Sequence, residues 1–152
     1  MRRQIAFLAL FLWRGTIAAI VVLFVRGTTT TSSDGRIAVI LTETEKDMVL
    51  DEMRGMLQAV ADITRALAQE DHAAIAAAAK SVGSAAMQND PPALLVKLPL
   101  EFKRNGMAMH TSFDRIAMAA RERKPIREIT GLLGDHLSLC NGCNAGYRFA
   151  PR

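Results

Sequence analysis

From Gln4 to Val25 the chain is apolar at every position except Gln4, Arg14 and Thr16; Arg2 and Arg3 precede the run, and Arg26, Gly27 and the polar residues 28–33 follow it. An unbroken apolar stretch of this kind is predicted to be an export signal or a membrane anchor. The part from Gly15 to Val25 has signal-peptide length, whereas the whole stretch from Ile5 approaches a span, with Arg14 as the obstacle. No small-x-small cleavage triplet follows before Ser32, which favours retention as an anchor, with Arg2 and Arg3 holding the start in the cytoplasm. The expected location is therefore periplasmic, tethered to the inner membrane.

Past Gly35 the pattern changes. One short apolar run, Ile37–Leu41, has strand character, and beyond it apolar residues recur every three or four positions, the period of a helix with one buried face. The first such helix has start signals at Thr42 with Glu45 and at Thr44 with Asp47, and should run to about Gln69. Leu50, Met53, Leu57, Val60, Ile63 and Leu67 form its stripe, with Met56 beside them. Asp71 can cap a second helix over residues 72–87, an Ala-rich body that lets a neighbour approach closely. Asn89, Asp90, Pro91 and Pro92 should end it, since consecutive prolines remove donors and disfavour helix before them.

A crossing loop with a short helical turn then leads to a third helix over residues 100–123, carrying Phe102, Met109, Phe113, Ile116 and Ala120 on one face. Pro125 suits the first turn of a fourth, running to about Phe149, with Ile129, Leu132, Leu133, His136, Leu137, Cys140, Cys143, Asn144 and Tyr147 inward. The expected fold class is all-α: an antiparallel four-helix bundle over residues 34–152, preceded by a signal or anchor helix with a polar linker over residues 1–33. Gly55, Gly106, Gly131, Gly134 and Gly142 fall inside these helices, which points to close approach of a bulky group or, more commonly, of a neighbouring helix.

Charge supports the division. Residues 1–33 hold four arginines and no acid, so the other 119 residues carry 15 basic and all 15 acidic side chains. The isoelectric point near 9.5 belongs to the leader and gives no support for nucleic-acid binding. An oxidising compartment would allow the two cysteines to be paired or covalently modified.

Those cysteines lie in Cys140-Asn-Gly-Cys143-Asn144-Ala-Gly-Tyr147-Arg148. Position on the last helix, Cys-x-x-Cys spacing, the Tyr147-Arg148 tail, a first helix with Arg54 and methionines, and Phe102 and Phe113 on the helix before it together resemble the class II c-type cytochromes, the group of cytochrome c′ and cytochrome c556. The resemblance spans residues 42–150. It implies a covalently attached haem c on Cys140 and Cys143, electron transfer with a redox partner protein, and a homodimer, since bundles of that type often pair. It also implies Met53 or Met56 as an axial ligand; Tyr147 and Arg148 join the candidate haem-binding residues, Arg148 as the partner of a haem propionate. The sequence departs from the family where the iron-binding histidine should follow Cys143: Asn144 stands there, and an amide is a poor iron donor. Met53, Met56, His110 or His136 would have to supply the ligand instead.

A second constellation overlaps the first. His136, Cys140 and Cys143 occupy i, i+4 and i+7 of one helix, placing an imidazole and two thiols on one face, a donor set for copper or zinc that a methionine of the facing first helix could complete. His136 and Cys143 are about 10 Å apart along the axis at 1.5 Å per residue, so convergence on one ion is not automatic. The plainer expectation keeps Met53, Met56, Met107, Met109 and Met118 as core filler, Tyr147 as a packed aromatic, Arg148 as a solvated charge and His110 as a satisfied core or surface residue. A thiol-redox role is disfavoured because Cys140 lies deep in a helix rather than at its N-terminus. No nucleophile elbow or Ser-His-Asp arrangement is visible, so the chain is not expected to be an enzyme. A haem-free metal-binding, structural or interaction module is the alternative to the cytochrome.

Overall fold

The computed structural model describes residues 2–89 and 91–151; Asp90, one of the expected helix breakers, lies outside them. Among the described residues the protein is 78% helical, with six α-helices and a small three-stranded sheet. The apolar leader is helix α1 (Arg2–Arg26), whose segment Ala6–Arg26 is long and apolar enough to cross a membrane, with mean hydropathy 2.3 and none of it buried in the protein.

Strands β1 (Thr29–Thr31) and β2 (Ile37–Leu41) follow at once and pair antiparallel, so the polar run after α1 is a strand. Helix α2 (Glu43–Ala68) starts on the capping box read from the sequence: Glu45 N–H donates to Thr42 Oγ1 at 3.3 Å and Thr42 N–H to Glu45 Oε2 at 2.9 Å. Helix α3 (His72–Ser81) is capped by Asp71, whose carboxylate accepts from Ala73 and Ala74 N–H. It is shorter than expected, because the chain tightens into a 3-10 segment over Ser84–Asn89. Helix α4 (Pro92–Lys97) is the short crossing turn. Helices α5 (Leu100–Arg121) and α6 (Ile126–Gly146) complete the helical part. Glu70 and Arg123 take left-handed φ values of 54° and 53° to reverse the chain between α2 and α3 and between α5 and α6.

The larger correction concerns the end of α6. It stops at Gly146, and Tyr147–Pro151 is a strand, β3, pairing parallel with β2 so that Ile37 faces Tyr147 and Leu41 faces Pro151. A parallel pair needs a long crossover, and here the crossover is the whole helical body. The chain is therefore not all-α, since its C-terminal segment is tied back to the strand that begins the body.

Two apolar clusters result. The larger one joins α2, α3, α5 and α6 through fully buried Ile63, Ile75, Phe113, Ile116 and Ile129, with α5 packed between α3 and α6. The smaller one lies under the sheet: Val39, Leu41, Val49, Leu94, Leu98 and Phe102, with Met53, Cys143, Tyr147 and Phe149 against it. On α2 the stripe is displaced from expectation, since Leu57 is 67% exposed while Met56 is buried. On α6, Leu137 and Asn144 also face outward. A Cβ at Gly55, Gly106, Gly131, Gly134 or Gly142 would meet nothing within 4 Å, so no closely packed helix explains these glycines.

Helix α1 is joined firmly to the body. Gly27 turns at φ +62° hard against the Lys97–Pro99 backbone, where a side chain has no room, and Thr28 N–H donates to Lys97 O at 2.7 Å. Lys103 Nζ donates to Phe24 O at 3.1 Å and sits 3.4 Å from the centre of the Phe24 ring.

Candidate functional site

The Cys-x-x-Cys motif straddles the two clusters. Helix α6 presents His136 and Cys140 to the helical core, and three residues later Cys143 to the sheet cluster.

His136 is fully buried, its ring 4.0 Å from that of Phe113 and tilted by 48°. Its Nδ1 lies 2.5 Å from Ser112 Oγ, and its Nε2 lies 3.7 Å from Cys140 Sγ. The same sulfur is 3.6 Å from Met109 Sδ, on α5. An imidazole, a thiol and a thioether thus meet across the α5–α6 contact. Burial pushes the Cys140 thiol above its ordinary range, and pushes the His136 imidazolium below its own with His110 as a lesser cause. The resting cluster therefore holds a neutral imidazole and a protonated thiol. A cavity of about 160 Å³ lined by Ser112, Arg115, Leu132, Asp135, His136 and Leu139 lies on the Ser112 side of the imidazole.

Cys143 sees different neighbours. It lines a cavity of about 120 Å³ with Met53, Phe102, Asn144, Tyr147 and Arg148. Tyr147 packs edge-on to Phe102 with ring centres 5.3 Å apart, and Phe149 does so at 5.8 Å. Burial raises the Cys143 thiol, and the nearby Cys140 raises it further. Two raised thiols lack the activated thiolate that a dithiol redox centre requires.

Around this cavity the polar groups are engaged. Asn144 donates its amide to Cys140 O at 2.8 Å, a local bond within the helix. Arg36 donates to the carbonyls of Asn144 and Tyr147 and pairs with Asp34 at 2.7 Å. Arg148 bonds Ser32 Oγ at 3.0 Å. The Arg36 guanidinium holds the Asp34 carboxyl well below the usual carboxylate range.

Five of the seven haem-site candidates, Met53, Cys143, Asn144, Tyr147 and Arg148, therefore surround one cavity, while Cys140 points to the other cluster and Met56 is buried in the helical core. The residues present do not fit a haem. The cavity is below the roughly 300–1,000 Å³ of sites for drug-sized ligands. Neither replacement histidine reaches it: His136 is engaged with Ser112, and His110 bonds Val82 O at 2.8 Å and Glu52 Oε1 at 3.0 Å. The proposed His136, Cys140 and Cys143 triad is not assembled either, since Cys143 faces the sheet cluster and no group of three His, Cys, Asp or Glu gathers among the described residues.

Sequence reasoning missed Met109 and Ser112. Both lie on the inward side of α5, but no one-dimensional signal tells which residue of α6 they face.

A larger cavity, about 740 Å³, opens between the end of α1 and the sheet; Tyr147 lines it as well as the cavity at Cys143, with Val22, Val25, Thr30 and Pro99, and no thiol or imidazole lines it. No family model, curated protein or solved structure matches the chain.

Proposed function

We propose that this chain is a membrane-tethered, periplasmic protein that binds a copper or zinc ion through α6 and carries no haem. One observation supports the metal reading above the cytochrome: the buried imidazole of His136 and the half-buried thiol of Cys140, a helical turn apart, meet at 3.7 Å beside the helical core. Both are donors suited to these two metals. The clasp of Gly27, Thr28 and Lys103 on the end of α1 supports retention of that helix as an anchor, because cleavage there would strip the body of contacts it uses.

The resemblance to class II cytochromes then concerns the scaffold. In this reading α2, α3, α5 and α6 form the four-helix bundle, and the protein binds rather than catalyses. The test uses the full chain in detergent, produced with and without c-type haem maturation enzymes. Expected are a colourless protein in both preparations and one equivalent of bound metal on titration, lost in His136→Gln and in Cys140→Ala. A covalently retained haem with a Soret band would overturn the reading, as would unchanged metal binding in both variants.

A further inference from the structure

We propose that Cys140, His136 and Met109 form a three-coordinate cuprous copper site, and that Ser112 is the positioning residue that aims the imidazole at the ion. This rests on the metal-binding reading above and names its ion, its third ligand and its orienting residue.

The proton count around Ser112 fixes the histidine. A serine hydroxyl has one proton, and Ser112 Oγ donates it to Met109 O at 2.6 Å. The 2.5 Å contact with His136 Nδ1 must then be made by Nδ1–H donating to the Ser112 oxygen. Nε2 is left with its lone pair, and it is the nitrogen that faces Cys140 Sγ. Second-neighbour hydrogen bonds of this kind set the tautomer and aim of metal-binding imidazoles. Two acceptors, Nε2 and the Met109 thioether, now compete for the single thiol proton of Cys140. A cation in place of that proton satisfies all three donors at once.

The spacing fits. With metal–sulfur bonds of about 2.3 Å and metal–nitrogen bonds of about 2.0 Å, a trigonal ion sets sulfur and nitrogen about 3.7 Å apart and two sulfurs about 4.0 Å apart. The observed separations are 3.7 Å for Cys140 Sγ to His136 Nε2 and 3.6 Å for Cys140 Sγ to Met109 Sδ. Sulfur to sulfur needs to open by only a few tenths of an ångström, which a methionine side chain can provide.

The donor types choose between the ions. Zinc in structural sites takes four ligands and favours thiolate, imidazole and carboxylate; here a second thiol faces away and no further His, Cys, Asp or Glu joins the group among the described residues. Thiolate and thioether select cuprous copper. On binding, the Cys140 S–H bond breaks, a sulfur–copper bond forms and the proton leaves to solvent. Copper enters and stays as Cu(I), so no oxidant or reductant is consumed. The thiolate and the ion neutralise one another, which suits a site walled by Phe113.

The full chain in detergent, kept anaerobic, is titrated with Cu(I) against a chromophoric Cu(I) chelator and with Zn(II) in parallel, and the copper form is studied by X-ray absorption. Expected is one Cu(I) per chain with about two sulfurs near 2.3 Å and one nitrogen near 2.0 Å. Met109→Leu, a swap of similar volume, should drop one sulfur from the shell and weaken Cu(I) at least about tenfold. Ser112→Ala should weaken it by about 10–100-fold with both sulfurs retained, and Ser112→Thr should restore it. In the metal-free protein, nitrogen NMR should show the His136 proton on Nδ1, and the tautomer should become mixed in Ser112→Ala. Tighter zinc than copper, or an unchanged sulfur count in Met109→Leu, overturns this site while metal binding at α6 stands. If neither ion binds the folded wild-type chain, both this inference and the reading beneath it are overturned.

Discussion

The two apolar clusters differ in how they are made and in what they do to a cysteine. The helical cluster is built from faces that each helix carries within its own sequence, and short turns join α2 to α3 and α5 to α6. The sheet cluster exists only because residues 37–41 pair with residues 147–151, more than a hundred positions away. Cys140 belongs to the first and finds an imidazole and a thioether; Cys143, three residues on, belongs to the second and finds Met53 and a set of aromatic rings. One short motif thus contains two thiols with different partners, and treating it as a unit, as haem attachment does, misplaces one of them.

The largest effect that sharpens the contrast comes from Phe113, which is fully buried in the helical cluster against His136. Phe113→Ala should cost about 3–5 kcal/mol and lower the stability of the whole body, measured by denaturant unfolding of the full chain. A loss below about 1 kcal/mol would mean that this cluster does not carry the fold.

Leu41→Ala acts on the other side. Leu41 is fully buried under the sheet, so the change should cost about 2–5 kcal/mol, but its signature should be local. Amide exchange should speed up in β2 and β3 while the α3 and α5 amides stay protected. Equal loss of protection everywhere would show that the two clusters unfold as one unit and would break the distinction.

The smallest effect is a pH dependence confined to the helical cluster. Burial first, and His110 second, depress the His136 pKa in the folded state, so below the ordinary value of about 6.5 the unfolded chain binds more protons than the folded one. That stability is present in full above pH ~6.5 and is lost as the pH falls through the depressed folded value. Metal-free protein should show thermal midpoints that drop across this window, and His136→Gln should flatten the drop. A midpoint that instead rises on acidification would place the imidazole in an environment that favours its charge.

Much of the helical cluster was legible in the chain. The Thr42–Glu45 capping box, the Asp71 cap and the Phe113, Ile116 and Ala120 face of α5 were readable because each depends on neighbours within two turns. Of the sheet only the strand character of Ile37–Leu41 was, because a parallel pairing with the entire body as its crossover leaves no local trace. Gly146 as a helix stop and the alternation of Tyr147 and Phe149 with Arg148 and Ala150 were the available signals, and they were outweighed by the helical spacing of His136, Cys140, Cys143 and Tyr147. The candidate site divided in the same way. His136 and Cys140 share a helix turn and could be read as partners, while Met109 and Ser112 reach them only through the docking of α5 on α6.

The most direct test of the whole account compares the two thiols. Cu(I) affinity is measured anaerobically by chelator competition on the full chain and on Cys140→Ser and Cys143→Ser, each checked for an unchanged helical spectrum. Cys140→Ser should lose at least about a hundredfold in affinity and Cys143→Ser less than about threefold, since second-neighbour changes alone reach about 10–100-fold. Equal losses in the two variants, or a larger loss in Cys143→Ser, would contradict the division of the motif between the two clusters.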